Sequence, residues 1–177
     1  MRRVLFLCTG NYYRSRFAEA VFNHHAAREG LAWSAFSRGL STHLAQGDLS
    51  VYTQAALQQR EIELRHTAPT RMALREEDLA EADLIIALKD TEHRPMVVRL
   101  FPEWEARIVF WDVSDIDAST PEEALPLIEQ QVLDLLSTLV VPEETTRGTH
   151  GSSDGSVLGP RQEEKKQDGQ DTQDREG

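Results

Sequence analysis

Two hydrophobic periods take turns along the first 140 residues. Val4-Leu5-Phe6-Leu7 is an unbroken apolar run closed by a glycine-containing loop, the pattern of a short strand buried on both faces. Behind that loop, Phe17, Ala20, Val21 and Ala27 fall at helical spacing until Gly30, a residue suited to the left-handed turn that ends a helix. Ser15 is the candidate cap for the start of this helix. Leu31 to Phe36 alternates and predicts a second strand, and a loop over 37–47 leads to a helix over about 49–61. Asp83 to Leu88 predicts a third strand, followed by a helix from about Asp90 to Leu100, and Arg107 to Trp111 predicts a fourth. The last helix has the clearest start. Thr120 stands at the N-cap, Pro121 in the first turn and Glu123 completes a capping box, ahead of a buried face of Leu125, Ile128, Val132, Leu135 and Leu136. Strands and helices in this order imply an α/β fold: a doubly wound, three-layer sandwich on a four-stranded parallel sheet. Such sheets bind ligands beyond the C-terminal ends of their strands. The first such end is Cys8.

The pattern stops after Val141-Pro142. From Glu143 onward the chain is mostly Glu, Thr, Gly, Ser, Gln, Asp, Lys and Arg, with Val157 and Leu158 its only large aliphatic side chains. A segment that buries so little cannot offset its ordering entropy, so residues 1–142 are expected to fold as one domain and 143–177 to form a disordered polar tail. The net charge of −11 argues against a nucleic-acid partner, which needs a basic surface, but not against a small anion held in a locally positive pocket. No apolar run approaches the roughly 20 residues that span a bilayer, so no membrane partner is expected. The apolar run after Arg2-Arg3 is about half of a signal-peptide core and is followed at once by Asn11 and Arg14. One cysteine excludes an internal disulfide and suits a reducing cytoplasm. His24 and His25 share a helix with no second ligand cluster beside them in the sequence, so neither a metal nor another cofactor is expected.

The chemistry concentrates at Cys8-Thr9-Gly10-Asn11-Tyr12-Tyr13-Arg14-Ser15, between a strand end and a helix start. A helix N-terminus offers unpaired N–H groups and positive potential, which bind anions and favour a thiolate. Arg14 supplies a planar fork that matches two phosphate oxygens. Gly10 lets the backbone curl, Asn11 tolerates left-handed dihedrals and can brace the loop, and Ser15 can donate a hydrogen bond to the thiolate. Thr9, Gly10, Asn11, Tyr12, Tyr13, Arg14 and Ser15 are therefore the candidate phosphate-binding residues, with Cys8 as nucleophile at their floor.

The run Val-Leu-Phe-Leu-Cys-Thr-Gly-Asn-x-x-Arg-Ser-x-x-Ala-Glu-Ala at 4–20 resembles the N-terminal signature of the low-molecular-weight protein tyrosine phosphatases. The resemblance implies a flavodoxin-like fold, a phosphocysteine intermediate on Cys8, Arg14 as phosphate clamp and no metal. It also implies an aspartate general acid after the fourth strand, needed because an alkoxide or phenoxide leaves poorly unprotonated. Trp111-Asp112-Val113-Ser114-Asp115-Ile116-Asp117 resembles the family's Trp-Asp-Val-x-Asp-Pro variant, which places the acid on Asp115, with Asp112 and Asp117 as competitors. The family's loop-bracing histidine would fall near His66, but Thr67-Ala68-Pro69-Thr70-Arg71 departs from the usual pattern and favours a surface or core histidine. Glu92-His93-Arg94-Pro95 is accounted for by helix initiation.

Where many members carry a second cysteine before the arginine, this chain has Tyr13, so oxidised Cys8 would lack an in-chain partner. Ring-sandwiching aromatics after the acid are replaced by Ile116, Asp117 and Ala118, while Tyr12 borders the pocket mouth. In members acting on phosphoarginine that position is often small. The expected activity is phosphate monoester hydrolysis on a phosphorylated protein or small ester. A single-cysteine arsenate reductase using an external thiol and a non-catalytic phosphate-binding module are the alternatives. Nothing in the sequence sets the oligomeric state.

Overall fold

A computed structural model describes residues 1–140, and the expectation of a disordered tail over 143–177 lies outside them. Four parallel strands, β1 (Arg2–Cys8), β2 (Trp33–Gly39), β3 (Leu84–Ala87) and β4 (Ile108–Phe110), pair in the order β2-β1-β3-β4. Around them lie α1 (Arg14–Glu29), α2 (Val51–Gln59), α3 (Glu76–Glu81), α4 (Asp90–Leu100) and α5 (Pro121–Leu139). No helix among these residues is long and apolar enough to cross a membrane.

The unbroken apolar run of β1 explains the three layers. Alternate side chains of a strand point to opposite faces. Val4 and Phe6 pack with Phe17 and Val21 of α1 and with Ile128 and Val132 of α5. Leu5 and Leu7 pack on the other face with Leu79 of α3, Val97 of α4 and Ile108. All four β1 residues are fully buried, so this strand carries the core of both layers.

Element boundaries shift in physically readable ways. The second strand begins at Trp33 rather than Leu31, because Gly30 takes φ 64° and the Leu31 N–H still bonds the Ala26 carbonyl, as part of the helix exit. It runs on past Phe36, since register with β1 continues to Cys8 opposite Gly39. The α1 stripe ends on buried Ala26, and Ala27 is exposed. Ser15 does not cap α1: Tyr13 holds the N-cap position without a side-chain bond. The α5 start follows the sequence, with Pro121 first and the Glu123 carboxylate accepting from the Thr120 N–H at 3.3 Å. Helix α3 had no clear signal, because its six residues are mostly acidic and only Asp78 and Leu79 are buried.

The chain leaves β1 toward β2 on one side and later returns to β3 on the other. The strand ends beside β1 therefore form the switch point where doubly wound sheets open a crevice. Cys8, the start of α4 and the segment after β4 all meet there.

Candidate active site

Residues 9–13 join a buried strand to a buried helix, and only an unusual backbone makes the turn. Asn11 adopts φ 51°, a left-handed conformation that asparagine tolerates better than most residues. Gly10 is required by proximity, because a Cβ there would lie 2.8 Å from the Ala45 Cβ. Among the described residues, none of the backbone N–H groups from Thr9 to Ser15 has a hydrogen-bond partner. Unpaired donors at the mouth of a 16-residue helix are a ready anion cradle. Cys8 is buried beneath them, with Sγ 2.9 Å from Ser15 Oγ.

The core side of the loop is held by a directional hydrogen-bond chain. Glu19, on α1 and 5% exposed, accepts from the hydroxyls of Ser37 at 2.6 Å and Thr67 at 2.8 Å. Ser37 Oγ accepts from Asn11 Nδ2 at 2.9 Å, and the same amide donates to Ser15 Oγ at 3.1 Å. With its oxygen receiving that bond, Ser15 keeps its own hydrogen free to point at Cys8 Sγ. Asn11 Oδ1 accepts the Met72 N–H at 2.8 Å, so a backbone amide braces the loop. His66 lies elsewhere, its ring centroid 5.4 Å from that of His24 on α1. No group of histidines, cysteines or carboxylates among the described residues is arranged to hold a metal ion.

Arg16, fully buried, anchors the same side. It donates to Thr67 Oγ1 at 2.7 Å, to the Asp48 carbonyl at 2.8 Å and to the Ala68 carbonyl, and its Nε stands 3.9 Å from Glu19. Burial pushes the Glu19 carboxyl up, and its hydroxyl donors and Arg16 only partly oppose this.

Arg14 faces the cleft. Its Nη1 donates to Glu92 Oε2 at 3.0 Å and to the Val113 carbonyl at 3.0 Å. Its Nη2 meets Glu92 Oε1 at 2.8 Å and Asp115 Oδ2 at 3.0 Å. Of the three candidate aspartates, Asp115 alone touches Arg14. Asp117 lines the cleft, whereas Asp112 pairs with Lys89 and leaves 81% of its side chain in solvent. Tyr13 is buried with an unpaired hydroxyl, and its pKa is pushed up to about 12, first by burial and then by Asp115.

Glu92 is the residue that helix initiation did not foresee. It stands in the first turn of α4, where it grips Arg14 and accepts from Thr9 Oγ1. Burial would raise its carboxyl, but the His93 ring N–H, Arg14 and Thr9 outweigh that and hold it far below the usual carboxylate range. The cleft, about 590 Å³, has a rim of Tyr12, Leu44, Val51, Tyr52 and Ile116.

The chain as a whole is similar to known proteins. The family described as low molecular weight phosphotyrosine protein phosphatase matches residues 3–140. A protein-arginine-phosphatase of Bacillus subtilis (strain 168) is 31% identical over 105 residues, covering 59% of this chain and 67% of that protein. The low molecular weight protein tyrosine phosphatase of T. tengcongensis superposes with a TM-score of 0.68 at 28% identity, over 78% of this chain and 99% of that one. The YwlE arginine phosphatase of Geobacillus stearothermophilus gives a TM-score of 0.64 at 25% identity, over 78% and 93%. The matched span takes in all four strands and all five helices, and on that ground this chain belongs to the low molecular weight phosphotyrosine protein phosphatase family of hydrolases.

Proposed function

We propose that the chain hydrolyses phosphorylated protein side chains through a phosphocysteine on Cys8. The observation that carries this reading is the set of unpaired N–H groups from Thr9 to Ser15 above a buried thiol with the Arg14 guanidinium alongside. The Cys8 thiolate attacks phosphorus, the S–P bond forms as the ester P–O bond breaks, and the equatorial oxygens rest on loop N–H groups and Arg14. Ser15 stabilises the thiolate by donating to it. Asp115, held at the cradle by Arg14, gives its proton to the leaving oxygen. It then takes one from the water that cleaves the S–P bond, restoring thiolate and acid.

The apolar rim of Tyr12, Tyr52, Leu44, Val51 and Ile116 suits the ring of a phosphotyrosine. A second reading, phosphoarginine, is favoured by the relationship to a protein-arginine-phosphatase. Tyr12 counts against it by narrowing the mouth.

Purified protein should hydrolyse p-nitrophenyl phosphate without added thiol, and Cys8→Ser should abolish turnover. Asp115→Ala should lose about 10²- to 10⁴-fold on phosphotyrosine peptide and less on p-nitrophenyl phosphate, whose leaving group needs no proton. Phosphate should be trapped on Cys8 in that variant. Phosphoarginine peptide tested in parallel decides the side chain. Arsenite formation dependent on a small thiol, with no ester hydrolysis, would overturn the proposal, as would binding without turnover.

A further inference from the structure

We infer that Glu92 is a positioning residue for the phosphate clamp: it grips one edge of the Arg14 guanidinium and leaves the Nε edge for the phosphate. The inference rests on the phosphatase reading and adds a residue to it. Glu92 spans Nη1 and Nη2 end-on, at 3.0 and 2.8 Å, the Val113 carbonyl takes a further Nη1 hydrogen at 3.0 Å, and Asp115 Oδ2 stands 3.0 Å from Nη2. Arg14 Nε has no partner among the described residues. A guanidinium presents two bidentate edges to an anion, so occupying one selects the other.

Glu92 is itself over-determined, as a positioning group must be. Thr9 Oγ1 donates to it, tying the first loop residue to α4. His93 Nδ1 accepts the Lys89 N–H at 3.0 Å, so the neutral ring carries its proton on Nε2. That nitrogen lies 3.3 Å from Glu92 Oε1, outside hydrogen-bond geometry but with its N–H dipole favouring the carboxylate. The position in the first turn of an 11-residue helix adds the favourable end of the helix dipole.

The arrangement has an electrostatic consequence. A carboxylate fixed on the clamp weakens ground-state attraction for phosphate while holding the fork in one orientation. Glu92 therefore favours turnover at the expense of anion affinity, and this separates it from a residue that only keeps the loop folded.

The test compares wild type, Glu92→Gln and Glu92→Asp by turnover of p-nitrophenyl phosphate and by calorimetric binding of inorganic phosphate. In Glu92→Gln, kcat should fall about tenfold as the fork loses its charged anchor. Phosphate should bind about 3- to 10-fold more tightly, because a negative charge has left the cradle. Glu92→Asp keeps the charge one methylene further back, so phosphate affinity should stay near wild type while kcat still falls. An unchanged kcat in Glu92→Gln would overturn the inference, and so would phosphate affinity that weakens in step with kcat, the mark of a purely structural role. Should Glu92→Gln fail to fold, Glu92→Asp carries the same decision: kcat within twofold of wild type overturns it. Absent wild-type turnover would defeat the phosphatase reading instead, and phosphate affinity would still decide the role of Glu92.

Discussion

Glu19 and Glu92 serve the same loop from opposite sides, Glu19 within the core and Glu92 at the cleft. Both are glutamates on helices that follow strands of one sheet, and both reach the loop through hydrogen bonds. Their proton affinities nevertheless move in opposite directions. Glu19 is buried among neutral donors, the hydroxyls of Ser37 and Thr67, with Arg16 at 3.9 Å, and burial raises its pKa. Glu92 is 31% exposed and in direct bidentate contact with Arg14, and its pKa is driven far down. Burial without a contact ion pair raises one carboxyl, whereas a bidentate guanidinium overrides the partial burial of the other. The two sides differ in kind: the core side reaches the loop through neutral hydroxyls and an amide, whereas the cleft side meets it through an ion pair.

Removing the core-side carboxylate should have the largest effect. Glu19→Ala leaves Arg16 buried without its nearest carboxylate and strips two hydroxyls of their acceptor. Breaking such a buried network costs about 3–5 kcal/mol. Urea denaturation would measure it, and a loss below about 1 kcal/mol would remove Glu19 from the comparison. Glu92→Ala should cost less, because Arg14 keeps the Val113 carbonyl and Asp115.

The same asymmetry decided what the sequence disclosed. The run from Val4 to Ser15 was legible because strand, loop and helix are local: an apolar run, a glycine, a cysteine and an arginine at short range. The layered sheet followed from the alternation of periods. Glu92 was not legible, since it meets Arg14 across 78 residues and its local context reads equally well as a helix start. Met72 escaped for a related reason, because it braces Asn11 with a backbone N–H that carries no residue signature. Arg16 carries no local signal of its burial. Only the fold places the loop around 67–68 against it.

A smaller effect would show whether the core side depends on shape as well as on hydrogen bonds. Gly39 sits opposite Cys8 in the sheet. A Cβ there would come 2.7 Å from Thr42 Cγ2, 2.9 Å from the Asn11 nitrogen and 2.9 Å from the Thr9 carbonyl oxygen. Two of these are loop backbone, which cannot rotate away. Gly39→Ala should therefore cost about 1–3 kcal/mol by overpacking. It should also lower kcat/KM on p-nitrophenyl phosphate about tenfold by shifting the loop. Wild-type thermal midpoint together with wild-type activity would mean that the loop yields freely and that the hydrogen-bond chain alone sets its form.

The finest test uses the pH dependence of stability. A carboxyl whose folded pKa is raised binds its proton more tightly in the native state. Glu19 therefore contributes stability below its usual value of 4.5 that is lost as pH rises from there through its folded pKa. Glu92 has the opposite sign: its contribution is present above 4.5 and is lost as pH falls below that value toward its depressed folded pKa. The two glutamine variants should then diverge. The stability gap between wild type and Glu92→Gln should widen as pH rises toward 5 and stay flat above. The gap for Glu19→Gln should be widest at and below pH 4.5 and narrow as pH rises above that value. Each slope is bounded by one proton, at most about 1.4 kcal/mol per pH unit, and constant costs of the amide cancel from it. If both gaps widen with pH, Arg16 holds Glu19 ionised from 3.9 Å as firmly as Arg14 holds Glu92 in contact, and the two sides of the loop work by the same charge pairing.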